Sequence, residues 1–181
     1  MADYRELWNR LGMDLEKHDL LCEVLPQLYG GVYLTQKNRP EGMNYYNFVI
    51  SEVHGLRIKE LDDHKKAGGK VVGTFCVFVP DELILASGAV GVGLCGGSQF
   101  WIEDGEKVLP RNLCPLVKAI VGAKVGGTCP YFQSCDLLTG ETTCDAKKKA
   151  YEVLGEYAPV YIMDLPQMKR DKDYKKWVAE I

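Results

Sequence analysis

Six of the seven cysteines lie in one stretch of the chain, and several of them adjoin glycine, proline or a residue that can start a helix. They are Cys76, Cys95, Cys114, Cys129, Cys135 and Cys144. Thiolates held by well-fixed backbone are good metal ligands, and iron–sulfur clusters in particular are bound through cysteine. The pattern therefore predicts a metal site, with an iron–sulfur cluster as the favoured occupant.

Two other interpretations of the cysteines compete with a cluster. Structural zinc sites usually use close pairs such as C-x-x-C, and the sequence contains none. A buried, unreactive cysteine is the second alternative, and it suits Cys22, which follows Leu20 and Leu21 in an apolar helical pattern. Cys135, between two polar residues, fits either a ligand or a core position.

The remaining polar residues are expected to lie at the surface or to stabilise a helix start. The three histidines, His18, His54 and His64, lie before the cysteine-rich stretch, and we expect each of them at the surface. The basic runs at 147–149 and 169–176 are expected to be solvated faces. Glu141 and Asp145, next to Cys144, are expected to stabilise the start of a helix, with proton relay as the alternative.

Length and composition limit the classes of protein that fit. The 181 residues, 46% of them hydrophobic, can bury one sizeable core. The polar opening residues do not resemble a signal peptide, and no apolar run is long enough to cross a bilayer, so we expect a cytoplasmic protein with reduced thiols. A net charge of -3 gives no electrostatic reason to expect nucleic acid.

Two patterns divide the chain at about residue 70. Residues 1–69 read as helix, loop, helix, and residues 70–181 alternate between strand and helix, which predicts an α/β cluster-binding domain. Strands are expected at 70–79, 90–94, 98–102, 136–139 and 160–163, and helices at 80–89, 115–121 and 142–157, the last capped by Thr142 or Thr143.

Alternating strands and helices predict an open, mostly parallel, Rossmann-like sheet with right-handed crossovers. We expect this sheet to be incomplete at the C-terminus, because the chain ends inside an amphipathic helical pattern without a cap signal. Ligands of such sheets gather at the carboxyl ends of the strands. Cys76, Cys95 and Cys144 each follow a predicted strand, so we expect them to converge on one edge.

Three segments together resemble the 2-hydroxyacyl-CoA dehydratase family, specifically its D-component (2-hydroxyglutaryl-CoA dehydratase-like). They are GTFCVFVPDEL at 73–83, LPRNLCPL at 109–116 and GETTCDAKKK at 140–149. The similarity covers about residues 70 to 181. Within the family, Phe75-Cys76 and the LCGG sequence at 94–97 most resemble the branch of double-cubane cluster proteins.

The resemblance implies a catalytic subunit that receives single electrons from a separate ATP-hydrolysing iron–sulfur activator protein. In the dehydratases, one electron passes to a 2-hydroxyacyl-CoA thioester, which gives a ketyl radical that expels the hydroxyl group and ends as an enoyl-CoA. In the double-cubane branch, two bridged cubanes reduce small molecules at low potential. Both chemistries belong to anaerobic metabolism.

The resemblance also implies a ligand set. Cys76, Cys114 and Cys144 are the first candidates, Cys95 and Cys129 the next, and Cys135 the last. Two cubanes joined through one sulfide leave six irons for thiolates, which equals the number of clustered cysteines. No catalytic residue can be assigned.

Members of the family are about twice this long, so the resemblance implies a missing second domain or partner subunit, and we expect a dimer. Two other functions stay open at this point. One is a non-catalytic cluster carrier or assembly module, and the other is a zinc-stabilised α/β domain.

Overall fold

The N-terminal part of the molecule is a set of helices. The computed structural model describes residues 4–94 and 96–181, so the predicted ligand Cys95 lies outside the described residues. The elements are α1 (Arg5–Arg10), α2 (Leu15–Tyr29), a π-helical turn (Gly30–Leu34), α3 (Met43–Ser51) and α4 (Leu56–Lys66). The first predicted helix is in fact two helices, because Gly12 takes a φ of +72° and turns the chain between them.

The rest of the chain forms a parallel sheet with helices, as the α/β pattern predicts. The strands are β1 (Val71–Thr74), β2 (Val90–Gly93), β3 (Leu137–Glu141) and β4 (Val160–Met163). Their order is β2-β1-β3-β4, and every pairing is parallel. The helices are α5 (Asp81–Ala86), α6 (Ile102–Gly105), α7 (Pro115–Val125), α8 (Pro130–Ser134), α9 (Asp145–Leu154) and α10 (Asp171–Glu180).

Three local predictions were wrong, and each has a physical reason. β1 ends at Thr74 rather than at 79, because Cys76 takes a φ of +62° and the chain leaves the sheet. The predicted strand at 98–102 is a 3-10 turn that continues into α6, because the Ser98 hydroxyl accepts a hydrogen bond from the amide of Phe100. The N-cap of α9 is Cys144, not a threonine.

Three apolar clusters hold the described elements together, and the one beside α5 consists of Val79, Ile84, Ala89 and Met163. The main core lies between the sheet and helices α7 and α9, and its largest members include Phe75, Phe132, Leu138, Tyr151 and Leu154. A second cluster of Leu7, Ile58 and Leu61 packs against Val71 and so joins the N-terminal helices to β1. The division of the chain at residue 70 stays a prediction. Among residues 4–94 and 96–181, no helix has the length and apolar character needed to cross a membrane.

Candidate functional site

The carboxyl edge of the sheet carries two of the predicted ligands on neighbouring strands. Cys76 follows β1 by two residues, and Cys144 follows β3 by three. β1 and β3 are adjacent and parallel, with Thr74 opposite Thr139. Their carboxyl ends therefore open on the same side of the sheet, which agrees with the expectation for these two cysteines.

Cys114 approaches the same edge from α7, for which it is the N-cap. Gly96, three residues beyond the end of β2, lies directly against the middle of α7: a Cβ built on Gly96 would come within 2.7 Å of the backbone of Ile120. After α7, the chain passes through α8 to the first residue of β3. α7 therefore runs from the carboxyl edge toward the opposite edge, and its first residue lies on the side of Cys76 and Cys144.

The three edge cysteines lie on a turn and at two helix starts. Cys76 and Cys114 are exposed, and Cys144 is half-buried. Neither Cys114 nor Cys144 uses its side chain to cap the helix it begins. The free amide N–H groups and the positive end of a helix dipole favour negative charge at such positions. The edge thus has three cysteines, two of them at helix starts.

The backbone of Cys76 is in a conformation that L-residues seldom adopt. Its φ is +62°, and among the described residues other than glycine only Asn38 also has a positive φ. Such a conformation costs of order 1 kcal/mol and persists where the surroundings hold it. In this conformation the Cys76 Sγ lies within hydrogen-bond distance of Lys147 of α9.

A buried ion pair lies beneath Cys76. The Lys147 ammonium donates hydrogen bonds to the Cys76 Sγ at 3.1 Å, to the Thr143 Oγ1 at 3.0 Å and to a carboxylate oxygen of Glu141. The other Glu141 oxygen accepts a hydrogen bond from the Thr143 amide at 2.8 Å. Glu141 is fully buried, so both of its oxygens are satisfied within the protein.

Both members of this pair are held in their charged forms. Burial acts to raise the pKa of Glu141, but the hydrogen bonds from Lys147 and Thr143 more than offset it, and the pKa lies below its usual value. Burial acts to lower the pKa of Lys147, yet its hydrogen bonds to Glu141 and Cys76 raise it. The edge therefore has a fixed positive charge in contact with the Cys76 sulfur.

Tyr151 supports this arrangement from below. Its hydroxyl donates to the backbone oxygen of Glu141 at 3.3 Å, and burial raises the pKa of Tyr151 to about 12. The ring packs so closely on β3 that a Cβ built on Gly140 would lie 2.3 Å from the hydroxyl oxygen. Glycine at this position allows the contact.

Glu141 was expected to stabilise a helix start, with proton relay as the alternative, and its ion pair was not predicted. Lys147 was missed as a site residue in the sequence, where it was expected on a solvated face. In the structure it is 8% exposed. A signal for this does exist in the sequence. Lys147, Ala150, Tyr151 and Leu154 follow the i, i+3, i+4, i+7 pattern of a buried helix face, and all four are buried. Asp145, in contrast, lies in the first turn of α9 as predicted.

The structure does not bring Cys129 and Cys135 to the carboxyl edge. They flank α8, and Cys129 is buried within the main core. Cys135 donates from Sγ to the backbone oxygen of Tyr131 at 3.1 Å and packs under the middle of β1, 2.9 Å from a Cβ built on Gly73. Burial raises the pKa of Cys135 to about 12. Their role as ligands stays a prediction.

A second group of donors lies among the N-terminal helices. His18, Cys22 and His54 form the only set of three His, Cys, Asp or Glu donors within residues 4–94 and 96–181 whose atoms all lie within 4.8 Å of one another. The expectation of surface histidines was wrong for His18, which is fully buried. Burial, with a smaller contribution from His18, lowers the pKa of His54 to about 4, so this ring is neutral at pH 7.

The class of protein is defined by a parallel α/β sheet with cysteines at its carboxyl edge, and sequence comparison gives the family. Residues 76–181 match the family described as 2-hydroxyglutaryl-CoA dehydratase, D-component. The match covers more than half of the chain, and the protein belongs to this family. The resemblance seen in the three cysteine segments is thereby confirmed at the level of the family.

Two curated relatives agree with this assignment. The chain is 50% identical over 133 residues to a protein named putative dehydratase subunit YjiM of Escherichia coli, an alignment that covers 73% of this chain and 35% of the relative. It is 24% identical over 110 residues to the lactoyl-CoA dehydratase subunit beta of Anaerotignum propionicum, covering 60% of this chain and 29% of the relative. The alignments thus span about a third of the length of each relative.

Proposed function

We propose that this chain is the cluster-binding part of a 2-hydroxyacyl-CoA dehydratase-like enzyme, with the cluster held at the carboxyl edge of the sheet. The observation that carries the proposal is the placement of Cys76, Cys114 and Cys144 on turns and helix starts at that edge. An iron–sulfur cluster bound there would supply single low-potential electrons for removing the hydroxyl group of a 2-hydroxyacyl-CoA thioester, or for reducing another small molecule.

The residues at the edge fit such a group chemically. Thiolates are the ligands of four-iron clusters, and three of them are presented from backbone that the sheet and two helices hold in place. A hydrogen bond from Lys147 to Cys76 is the kind of contact through which proteins set the potential of a cluster. Cys95, after β2, is a candidate for a further ligand on sequence grounds alone.

The proposal gives one role each to Lys147, Glu141 and Thr143. Lys147 holds the Cys76 sulfur and offsets part of the negative charge that several thiolates accumulate. Glu141 orients Lys147 and keeps it charged in a buried position. Thr143 fixes both partners through its hydroxyl and its amide.

The proposal includes partners. Apolar side chains next to the edge cysteines face solvent: Val77 is 86% exposed, and Phe78 and Leu116 are about half exposed. These residues suit a surface covered by further protein, either a second domain or a partner subunit. An ATP-hydrolysing iron–sulfur activator is the proposed electron donor. A dimer is also part of the proposal.

The first experiment is iron and acid-labile sulfide analysis of the chain purified or reconstituted without oxygen. We expect about four iron atoms per chain for a single cubane and about eight for a double cubane. Cys114→Ala and Cys144→Ala should each lose most of the iron, whereas Glu60→Gln, on the exposed surface of α4, should retain it. Circular dichroism should establish that each variant is folded.

Equal iron in all variants, or none in any of them, would contradict the proposal. Zinc in place of iron at the edge would favour a zinc-stabilised domain instead. The open position of Cys76 and Cys114 also favours a second candidate function, that of a cluster carrier which delivers its cluster or its electrons to another protein. Turnover of a 2-hydroxyacyl-CoA with the activator and full-length partner would separate the enzyme from the carrier.

A further inference from the structure

The His18–Cys22–His54 trio brings together two elements that are distant in the sequence. His18 and Cys22 are four residues apart on α2, so they lie on the same face of that helix. His54 lies in the segment between α3 and α4. The helical contacts of the N-terminal region therefore place three metal-ligating side chains in one small volume.

Only one of the contacts within the trio has the length of a short hydrogen bond. The Nε2 of His18 lies 2.9 Å from the Nδ1 of His54, whereas the Sγ of Cys22 lies 3.6 Å from that Nε2 and 3.8 Å from the Nδ1 of His18. A ring nitrogen carries either one hydrogen or one lone pair, so Nε2 can serve only one of these two partners well. A cation between the three atoms would satisfy all of them at once.

The spacing is close to that of a tetrahedral zinc site. Bond lengths of about 2.05 Å to nitrogen and about 2.3 Å to sulfur place ligand atoms about 3.6 Å apart for a nitrogen–sulfur pair and about 3.3 Å for two nitrogens. The 3.6 Å between the Cys22 Sγ and the Nε2 of His18 equals this spacing, and the sulfur, which is also 3.8 Å from the Nδ1 of His18, would have to turn toward the Nε2 side of the ring. The two histidine nitrogens would have to separate by about 0.4 Å, which small rotations of the rings can provide.

Neighbouring residues fix the trio in the way that outer-shell partners fix metal ligands. The Trp8 ring packs edge-on against His18 with centroids 4.3 Å apart, and its indole N–H donates to the backbone oxygen of His54 at 2.7 Å. His18 is fully buried. One side chain of α1 thus contacts both histidines and restrains their positions.

We propose that His18, Cys22 and His54 bind one divalent transition-metal ion, for which zinc is the best fit. Two imidazoles and one thiolate are a donor set that zinc favours, and water fills the fourth tetrahedral position. Binding removes the proton of the Cys22 thiol, which passes to solvent. This site is separate from the carboxyl edge of the sheet and does not depend on the function proposed for that edge.

Cobalt(II) is a suitable probe, because its visible spectrum reports tetrahedral geometry and thiolate ligation. The titration should be made on the full chain after chelation, in a background of Cys76→Ser, Cys114→Ser and Cys144→Ser, so that the edge cannot compete. We expect one equivalent of cobalt to give a thiolate charge-transfer band. Zinc should then displace the cobalt and raise the melting temperature.

Substitutions of Cys22 and His54, which are half-buried, test the assignment without leaving a cavity at buried His18. In the same background, Cys22→Ser should abolish the charge-transfer band. His54→Gln should weaken zinc binding at least as much as the loss of an outer-shell partner does, which is about 10- to 100-fold. His64→Gln is the matched control, because His64 lies in α4 outside the trio, and it should bind as the parent does.

Two results of this titration would contradict the proposed metal site. Absence of a thiolate band in the parent background would overturn the proposal, as would a band that persists unchanged in folded Cys22→Ser and His54→Gln. Neither result would bear on the edge cysteines, because they are absent from the protein being tested. Iron analysis of the wild-type chain tests those independently.

Discussion

The edge cysteines and the N-terminal trio are two groups of soft ligands built by different physical means. At the edge, the positions of the sulfurs follow from the backbone: Cys76 from a left-handed turn, Cys114 and Cys144 from helix starts. In the trio, the positions follow from side-chain packing of α1, α2 and the segment before α4. The edge faces solvent, whereas the centre of the trio, His18, is fully buried.

The difference shows what each group is suited to bind. Exposed sulfurs on backbone turns can surround a large group and remain reachable by a partner protein. The three donors of the trio, of which His18 is buried and the other two are half-buried, lie within 4.8 Å of one another and have room only for a single ion. In the two proposals, the edge binds a group that other proteins can reach, and the trio binds an ion that stabilises the helices of this chain.

The largest expected effect comes from breaking the ion pair under the edge. Removing one member of a buried pair leaves an uncompensated charge, which typically costs about 3–5 kcal/mol. We expect Glu141→Gln to lower the free energy of unfolding by about 3 kcal/mol, measured by urea denaturation. Glu152→Gln, in the exposed Lys149–Glu152 pair, should change it by less than about 1 kcal/mol.

This comparison also tests how the edge is held. If Glu141→Gln were no more destabilising than Glu152→Gln, the ion pair would not be what supports Cys76. The double variant Glu141→Gln, Lys147→Met should recover part of the loss, because it removes both charges together.

The second prediction concerns the reactivity of the cysteines. Cys135 has a pKa of about 12 through burial, so its thiol is almost wholly protonated at pH 8. Alkylation requires the thiolate, and we expect iodoacetamide to modify Cys135 at least about a hundredfold more slowly than exposed Cys76 in the metal-free folded protein.

Mass spectrometry of the quenched reaction gives both rates from one sample. In denaturant the two cysteines should react within a few-fold of each other, because the difference arises from folding. Equal rates in the folded protein would mean that Cys135 is as accessible as the edge cysteines. That result would strengthen its case as a ligand.

Much of the fold could be predicted from the sequence, because its determinants are local. β2 and β4 follow from short apolar runs, and α5 follows from Pro80 and the acidic residues of its first turn. The alternation of strands and helices then implies a parallel sheet, and the sheet determines that Cys76 and Cys144 face one edge. Each step depends on neighbours within a few residues.

The parts that could not be predicted depend on contacts between distant residues. His54 is 36 residues from His18, and no spacing in the sequence indicates that their rings meet. Lys147 contacts the sulfur of Cys76, two residues beyond the end of β1, although the two residues are 71 positions apart in the sequence. In the sequence Cys129 adjoins a proline and looks like a turn residue, and Cys135 fits either a ligand or a core position. Packing against β1 and the main core determines their surroundings.

The smallest expected effect concerns the junction between the two regions. Lys17 of α2 and Lys107 donate hydrogen bonds to the buried Asp104 of α6 at 2.9 Å and 2.6 Å. Burial acts to raise the pKa of Asp104, but these two lysines more than offset it, so the pKa is lower in the folded protein than in the unfolded chain. Asp104 therefore stabilises the fold when it is charged.

The sign of the pH dependence follows from this lowered pKa. The unfolded chain binds the proton first as the pH falls below about 4, so the stabilisation is complete above that pH and disappears as the pH falls through the folded pKa. We expect Asp104→Asn to cost about 1 kcal/mol at pH 7, and the difference from wild type to shrink in acid. Urea denaturation at several pH values measures both. Glu152→Gln, in the exposed Lys149–Glu152 pair, should show a smaller cost and a weaker pH dependence, and a cost for Asp104→Asn that stays constant down to pH 2 would mean that hydrogen-bond geometry rather than charge joins α2 to α6.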